Sequence, residues 1–305
     1  MLTFKVWDVH NKTVWFRHPL SVSLITEESA PADGLKASFA VSGDVPALRF
    51  VEVFSGQERL FCGAVDEQTV LQNKNGTVLM LAARSRAAVL LDNEARPQTY
   101  IKPSMNVLMQ RHFRPLGFHS FCGTEDTFIG HLTIEKGMSE WAVLNRFCET
   151  FLQTSPRLRR DGVIDITGED PEETVFLSKD RILSLRRTFR YSSLISEILA
   201  RTYVGGAYSM PLYSNKAQEM GIKRKRYADT AGSRNRSVLS AEKCLQKADA
   251  AFEQIIVECS GCLFCETGTT LILSGNRRRY RVKEAVCMYD LSGEKTKITA
   301  EVKQE

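Results

Sequence analysis

The sequence lacks the short motifs that identify many enzyme classes, and it lacks long apolar runs. Its 305 residues contain no G-x-S-x-G, P-loop, H-E-x-x-H or G-x-G-x-x-G motif. No stretch approaches the roughly 20 apolar residues that a membrane-spanning helix needs. The beginning, MLTFKVWDVHNK, has no basic region followed by an apolar one. We therefore expect no enzyme activity, no signal peptide and no insertion into a membrane.

The remaining composition is ordinary for a folded protein. Hydrophobic residues make up 43% of the chain and charged residues 25%, as in typical globular domains. A chain of 305 residues is long enough for two or three domains, each with its own core. The eight cysteines are too sparse for a small disulfide-stapled scaffold, which indicates reduced thiols made in a cytoplasm.

Alternating apolar residues predict that the first hundred residues are rich in strands. Leu2, Phe4 and Val6 alternate with their neighbours at the period of a half-buried strand. Further strands are predicted at 14–16, 22–25, 37–41, 48–54, 60–65 and 78–83. Asn75-Gly76 predicts a hairpin between the last two, because both residues tolerate positive φ. A helix is predicted from Ser85 to Arg96, where Pro97 stops it.

A helical segment follows, and the last third returns to strands. Ser104 and Ser139 are predicted to cap two helices, the second with an apolar face from Trp141 to Leu152. Ser240 is predicted to cap a third helix. Strands are predicted at 162–167, 173–177, 194–203, 255–259, 263–274, 279–289 and 295–302.

Three cysteines form the strongest candidate for a chemical site. Cys259, Cys262 and Cys265 make a C-x2-C-x2-C run, for which Cys287 would be the fourth metal ligand. The run begins in an apolar strand, where cysteine behaves as a small buried hydrophobe. Structural cysteines are therefore the favoured interpretation, and the sequence predicts no metal and no cofactor.

Two other groups are weaker candidates. A second possible metal group contains His112, His119 and Cys122, whose spacing matches no helical or strand face. The carboxylate pairs Glu125-Asp126 and Glu169-Asp170 have the residue types of a glycoside hydrolase, which needs two carboxyl groups about 5–10 Å apart in a cleft. Both pairs lie in polar segments, so we interpret them as solvated turns.

Two segments of the chain resemble a known family. They are Gly76 to Tyr100, and KGMSEWAVLNRFCETFL leading into RRDGVIDITG. Both resemble baseplate hub proteins of contractile-tailed bacteriophages and phage-tail-like particles, as in Mu-type phages and the N-terminal part of type VI secretion spike proteins. The resemblance implies a mainly β (α+β) fold with two tail-tube-like β-barrel or sandwich domains and a small α+β domain between them. The expected limits are 1–100, 101–185 and 186–305.

The resemblance also implies a function. Three copies would form a ring that joins a sixfold tail tube to a threefold central spike at the baseplate of a virion or tail particle assembled in the host cytoplasm. Expected partners are further copies of the chain, a tail tube or tube-initiator protein, the spike, baseplate wedge proteins and a tape measure protein, with DNA only as passing cargo. The alternatives are a tail-associated peptidoglycan hydrolase, the hub of a long non-contractile tail, and a cysteine-liganded metal or nucleic-acid-binding protein.

Basic residues are the candidate contacts for these partners. The net charge of +5 is uneven, since 201–250 carries 10 basic and 4 acidic groups. An acidic protein or a nucleic-acid backbone would suit this segment, and a solvated loop is the alternative; Tyr227 alone offers no ladder of rings for bases. Arg84 and Arg86 are predicted either to bridge chains or to pair locally with Asp92 or Glu94. The predicted interface residues are Arg84, Arg86, Lys223, Arg224, Lys225, Arg226, Arg277, Arg278 and Arg279.

Overall fold

The predicted mainly β fold is confirmed. The computed structural model describes residues 2–201, 206–228 and 234–303, and of 234–239 it describes the backbone alone. Among these residues, one sheet of 13 strands dominates, accompanied by small sheets of two, three and three strands. No helix in the described part of the chain is both long and apolar enough to cross a membrane.

Seven strands build the N-terminal part of the large sheet. They are β1 (Leu2–Asp8), β2 (Thr13–Arg17), β3 (Ser21–Glu27), β4 (Ala30–Val41), β5 (Leu48–Ser55), β6 (Glu58–Asn73) and β7 (Gly76–Ser85). Every strand predicted in the first hundred residues is present, and the predicted hairpin joins β6 to β7. Buried side chains alternate along β1 and β3 and enter one shared core.

A small α+β unit follows β7. Its elements are α1 (Ala88–Asp92), β8 (Gln98–Ile101), α2 (Met105–Leu108), β9 (Phe121–Cys122), β10 (His131–Ile134), α3 (Glu140–Phe147), β11 (Arg157–Leu158) and β12 (Ile164–Asp165). A π-helical turn (Met109–Phe113) and a 3₁₀ turn (Arg114–Leu116) continue α2, and another π-helical turn (Cys148–Leu152) continues α3. The apolar residues of this unit form a core of their own.

The two predicted helix caps of this unit are confirmed, and one predicted helix length is wrong. Ser104 Oγ accepts a hydrogen bond from the Val107 amide, and Ser139 Oγ accepts one from the Ala142 amide. The helix predicted from Ser85 to Arg96 is only α1. It ends early because Asn93 is extended and donates both its backbone and side-chain N–H to the Val89 carbonyl.

The chain re-enters the large sheet and then leaves it again through an insert. β13 (Thr174–Leu177), a 3₁₀ turn (Lys179–Arg181) and β14 (Ile182–Phe189) come first. Residues 190–252, here called the insert, hold β15 (Glu197–Arg201), β16 (Tyr208–Tyr213), α4 (Asn215–Glu219), β17 (Lys225–Ala228) and α5 (Arg234–Ala250). β15 to β17 form a separate sheet with a small core shared with α5.

Three predictions fall in the insert. Ser240 is no cap, because α5 already begins at Arg234. The strand predicted over 194–203 is β15, and its last two residues lie outside the described part of the chain. The basic run is not simply a loop, because 225–228 forms β17 through parallel pairing with β15.

Four strands complete the large sheet. They are β18 (Glu253–Ser260), β19 (Thr270–Leu273), β20 (Arg279–Asp290) and β21 (Gly293–Val302). The strand predicted over 263–274 is therefore mostly wrong. The Leu263 amide donates to the Thr296 hydroxyl, and Cys262 is bonded to Cys287, so this stretch is held against the sheet as a loop until Thr270.

The large sheet contains the same arrangement twice. Its order is β14-β18-β21-β20-β3-β4-β7-β6-β5-β1-β2, with β19 beside β20 and β13 beside β19. β3-β4-β7-β6 and β14-β18-β21-β20 are equivalent sets of antiparallel neighbours, and β5 pairs with β6 as β19 pairs with β20. We call β3 to β7 unit 1, and β14 with β18 to β21 unit 2. The two units lie side by side because 284–289 of β20 pairs with 22–27 of β3.

The two units match residue by residue. One row across unit 1 contains Val22, Ala37, Leu81 and Gln68. The corresponding row across unit 2 contains Leu185, Val257, Ile298 and Ala285. Both terminal hairpins close through the same kind of pair, Asn73 with Gly76 and Asp290 with Gly293. Both also have a bulge at the same place, at Asp66 and at Lys283.

Candidate functional site

Arg84 forms ion pairs within its own chain. It lies near the end of β7, where its guanidinium bonds Asp66 of β6 (Nε to Oδ2, 2.7 Å) and Asp92 of α1 (Nη2 to Oδ2, 2.8 Å). The two carboxylates raise the pKa of Arg84, and its hydrogen bonds hold the pKa of Asp92 below its usual range. The local pairing with Asp92 is thus present, and Arg84 connects β6 and β7 of unit 1 to the α+β unit.

Arg86 makes a second connection of the same kind. Its Nη2 donates to the Gly117 carbonyl at 3.0 Å, and its guanidinium carbon lies 5.7 Å from the centre of the Phe118 ring. Gly117 has φ of +87°, and a Cβ there would lie 2.9 Å from the Arg86 guanidinium. Arg84 and Arg86 therefore both connect unit 1 to the α+β unit where the chain leaves β7.

The four residues of the basic run are used differently. Arg224 Nη1 donates to the carbonyls of Ser192 (2.7 Å) and Leu194 (2.6 Å), which fixes the turn after β14. Lys225 forms an ion pair with Glu197 at 2.9 Å. Lys223 and Arg226 are exposed and form no ion pair with the described residues. These two are the best candidates for contacting a partner.

The insert carries the excess positive charge of the whole protein. It contains 11 of the 41 basic and 5 of the 36 acidic residues, which leaves 30 basic and 31 acidic residues elsewhere. The prediction that Tyr227 has no other aromatic ring near it is wrong for the folded chain, because the centres of the Tyr208 and Tyr227 rings are 5.0 Å apart. Arg201 stacks over Tyr208 at 4.4 Å. β-Sheet pairing brings these residues together from separate stretches of sequence.

The second basic run, Arg277 to Arg279, leads into β20. Arg278 pairs with Glu253, a buried carboxylate that also forms an ion pair with Arg187 at 3.1 Å. Arg277 and Arg279 are exposed and form no ion pair with the described residues. The structure therefore uses Arg278 for stability and leaves its two neighbours at the surface.

Apolar side chains are exposed on two strand edges, which no sequence pattern had indicated. β14 is one end of the large sheet, and no described strand pairs with its outer edge. The half of β6 beyond the bulge pairs with β7 alone. The side chains of Val70, Leu71, Leu183, Leu185 and Phe189 on these edges are 45–54% exposed. β14 was missed because LSLRRTF has charged residues where an alternating pattern would need apolar ones.

The cysteines form a disulfide rather than a metal site. Cys262 is bonded to Cys287 with a Cα–Cα distance of 5.5 Å, which corrects the expectation that all eight thiols are reduced. Cys259 and Cys265 are buried, and burial raises the pKa of the Cys265 thiol to about 12. No cluster of three or more potential ligands suited to a metal occurs among the described residues.

The second proposed metal group is also dispersed. His112 is buried, with Nδ1 2.7 Å from Glu140 and Nε2 2.9 Å from the Tyr100 hydroxyl. His119 and Cys122 are exposed. The buried chain of three polar groups joins β8, the π-helical turn after α2 and the start of α3. Its hydrogen bonds satisfy both imidazole nitrogens, so it fixes the core of the α+β unit.

The carboxylate pairs have ordinary partners. Glu125 accepts from the Asn106 side chain at 3.3 Å, and Asp126 accepts from the Thr124 hydroxyl at 2.7 Å. Asp170 bonds Arg281 of β20 at 2.6 Å, and the same arginine pairs with Glu28 after β3. Asp170 therefore belongs to an ion-pair network that joins the α+β unit to both sheet units.

Comparison with known proteins gives matches in structure only. No protein-family model and no curated protein matches the sequence. The 43 kDa tail protein of prophage MuSo2 from Shewanella oneidensis superposes with a TM-score of 0.80 at 13% identity, over 98% of this chain and 97% of that one. A tail protein from Neisseria meningitidis MC58 gives 0.78 at 16% identity, over 98% and 95%.

A similar structure also occurs outside prophages. The c3393 protein of Escherichia coli, a component of the type VI secretion system described as similar to the T4 tail proteins gp27 and gp5, superposes with a TM-score of 0.60. Its identity is 11%, and the match covers 94% of this chain and 74% of that one. From end to end, this chain has the fold of prophage tail proteins.

Proposed function

We propose that this protein is a structural hub of a phage tail or related injection particle. Three copies form a ring that joins a sixfold tail tube to a threefold spike. The observation that carries the proposal is the pair of equivalent sheet units in one chain. Two units per chain and three chains give six similar units, which is the symmetry step that such a hub must make. The likeness to tail proteins along the whole chain supports the same role.

The proposed domain organisation follows from the same arrangement. We propose a first β domain, a small α+β domain and a second β domain, in that order. The ion pairs of Arg84 with Asp92 and of Asp170 with Arg281, and the hydrogen bond from Arg86 to the Gly117 carbonyl, hold the middle domain against both sheet units. A rigid subunit of this kind suits a ring that must transmit load between tube and spike.

The basic residues are proposed as contacts with partner proteins. Lys223, Arg226, Arg277 and Arg279 are exposed and positively charged, so they suit acidic surfaces of a tube, spike or tape measure protein. DNA is proposed only as passing cargo. Charge reversal at Lys223 and Arg226 tests these contacts cleanly. Arg224 is unsuitable for this test because its loss would disturb the turn that it binds.

The proposal is tested by the mass of the purified protein, measured by light scattering across a range of concentrations, followed by electron microscopy of the largest species. We expect a species of three chains with a central opening and pseudo-sixfold outline. A species of two or four chains would contradict the hub. Hydrolysis of purified peptidoglycan that is lost in Glu125→Gln or Glu169→Gln would instead support the hydrolase alternative.

A further inference from the structure

The contact between the two units inside one chain shows how one chain can join the next. Across the sheet, unit 2 finishes at β20 and unit 1 starts at β3. The part of β20 beyond its bulge pairs with β3. β6 ends unit 1 in the same way, and its part beyond the bulge has no outer partner among the described strands. β14 begins unit 2, and its outer edge is also unpaired in the described chain. The chain thus contains one pairing between units, that of β20 with β3, which we call the joint. It also contains two edges without a described partner, on β6 and on β14, that suit a second joint of the same kind.

We infer that β6 of one copy pairs antiparallel with β14 of the next copy, in the register of the β20–β3 joint. This inference rests on the proposed function, and it names the surface through which the ring closes. A head-to-tail contact between two different edges generates a ring when the rotation closes. Repeating one joint between all units makes every step around the ring similar, whether it lies within a chain or between chains.

The register follows from the residue match between the units. Within the chain, Met288 lies opposite Ser23, and Cys287 lies opposite Leu24. The count starts from the equivalent hairpin residues Asn73 of β6 and Asp290 of β20. Met288 then corresponds to Leu71, and Cys287 corresponds to Val70. Ser23 corresponds to Arg186 and Leu24 to Arg187, through the matching rows. The joint between copies therefore places Leu71 opposite Arg186 and Val70 opposite Arg187.

The side chains at these two edges suit burial in an interface. Val70 and Leu71 on β6, and Leu185 and Phe189 on β14, are roughly half exposed in the single chain. Leu185 corresponds to Val22, which is buried in the core of the N-terminal strands, in a cluster that also contains Cys287 of β20. Exposed edge strands with apolar side chains invite pairing with another chain, and a ring in which every edge is paired removes that hazard. The occupant is therefore a second copy of this chain.

The pairing between copies covers the part of β6 next to its hairpin. The side chain of Gln68 donates to the Pro46 carbonyl and accepts from the Leu48 amide, so the loop before β5 limits the open edge at that end. The pairing then runs from Thr69 to Gln72.

The test is a cysteine cross-link between copies. Leu71→Cys and Arg186→Cys are combined in a background with the exposed Cys122 and Cys244 changed to serine. Directly opposed strand residues have Cα atoms about 4.5–5.5 Å apart, within reach of a disulfide. We expect oxidation to give cross-linked dimers and trimers on a denaturing gel. The matched control, Leu71→Cys with Thr188→Cys, is out of register by two residues and should cross-link at least about fivefold more slowly.

A second pair of variants tests the edges without cross-linking. Val70→Lys with Leu185→Lys places charges on both edges and should weaken association about tenfold or more. Phe176→Lys, on β13, is the control, because that side chain is 73% exposed and lies on neither edge. Both should unfold at nearly the same temperature as the parent.

The outcomes separate this inference from the proposed function. A trimer that forms no Leu71–Arg186 cross-link, or that cross-links the offset control equally well, overturns the edge pairing and leaves the ring standing. A protein that stays monomeric and uncross-linked at its highest soluble concentration contradicts both. A trimer that persists in the doubly charged variant also overturns the edge pairing.

Discussion

Units 1 and 2 share strand order, register and the bulge of β6 and β20, yet they share few side chains. One ion pair shows the relationship well. Arg84 bonds Asp66 at the bulge of unit 1, and the corresponding residues of unit 2 are Glu301 and Lys283, 3.8 Å apart. The charges are exchanged between the strands and the contact is kept. Both units therefore have an ion pair at the bulge, with the positive charge on a different strand in each.

The units differ most where one has no side chain and the other has a large one. Gly63 in β6 corresponds to Tyr280 in β20. A Cβ on Gly63 would lie 2.1 Å from the Arg84 carbonyl oxygen, so the backbones of β6 and β7 approach too closely for any side chain. Tyr280 is fully buried, and its hydroxyl accepts from Asn276 and Arg187 at 3.0 and 3.2 Å. The same position is thus closed by backbone in unit 1 and filled by a ring in unit 2.

The largest effect is expected from Tyr280→Ala. Removing a fully buried ring leaves a cavity and two donors without their acceptor, which should lower the free energy of unfolding by about 3–5 kcal/mol. Denaturant unfolding followed by circular dichroism measures this change. Gly63→Ala is the counterpart in unit 1 and should cost about 1–3 kcal/mol through the clash with Arg84. If neither variant lost free energy of unfolding, the proposed difference between the two positions would be wrong.

Sequence patterns reveal the N-terminal strands β1 to β7 more readily than the strands of unit 2. Leu2, Phe4 and Val6 alternate cleanly because one face of β1 enters a core. The helix caps at Ser104 and Ser139 are equally local, since each depends on a side chain and an amide three residues later. Such features depend on neighbours in sequence and can be predicted from it.

The edges that the ring would use could not be predicted in this way. β14 has exposed leucines and arginines and no described strand along its outer edge, so its pattern is not that of a half-buried strand. The equivalence of the units depends on the backbone pairing inside each unit, and equivalent residues lie far apart in the sequence. Val70 and Cys287 are equivalent in space, and neither side chain predicts the other.

The disulfide distinguishes Cys287 of unit 2 from Val70, its equivalent in unit 1. Cys287 is bonded to Cys262, whereas Val70 has no covalent partner. Closing a loop across 25 residues is expected to stabilise the folded state by about 3 kcal/mol, mainly by restricting the unfolded chain. The variant Cys262→Ser with Cys287→Val, which places the unit 1 residue in unit 2, should lose that amount relative to the oxidised parent. Thermal unfolding with and without reductant measures the loss.

Alkylation provides the control for that measurement. Without reductant, the denatured protein should expose six alkylatable thiols, and with reductant eight, by mass spectrometry. In the folded protein Cys122 and Cys244 should react first because they are exposed, while Cys148 and Cys265 stay protected by burial, which raises the pKa of each thiol to about 12. Eight reactive thiols without reductant would show that the two units are equally free of cross-links.

The exchanged ion pairs predict a smaller effect. Asp66→Asn removes one carboxylate from Arg84, and Glu301→Gln removes the matching carboxylate from Lys283. Each pair is partly exposed, so each change should cost about 0.2–1 kcal/mol, and less in high salt. Arg84 keeps Asp92 and Lys283 keeps Glu28, so neither cation is left without a partner. A much larger loss in one unit, measured by denaturant unfolding at low and high salt, would show that the two contacts are not equivalent.

The smallest effect concerns the link that unit 1 has and unit 2 lacks, between Arg84 and Asp92. The hydrogen bonds from Arg84 lower the pKa of Asp92 in the folded state below its unfolded value of about 3.9. A lowered folded pKa contributes stability above the unfolded value, and that contribution is lost as the pH falls through the folded value. Asp92 is half exposed, so solvent limits the effect to a few tenths of a kcal/mol.

The measurement for this link is the free energy of unfolding between pH 2 and pH 7, for the parent and for Asp92→Asn. The difference between the two should be present at neutral pH and should shrink as the pH falls from the unfolded pKa of about 3.9 through the lower folded pKa, because Asp92 then becomes protonated and uncharged. Arg84 stays protonated throughout this range, so Asp92 alone sets the pH dependence of the pair. A difference that does not change with pH would mean that Asp92 stabilises α1 by packing or hydrogen bonding alone, and that its charge does not connect unit 1 to the α+β unit.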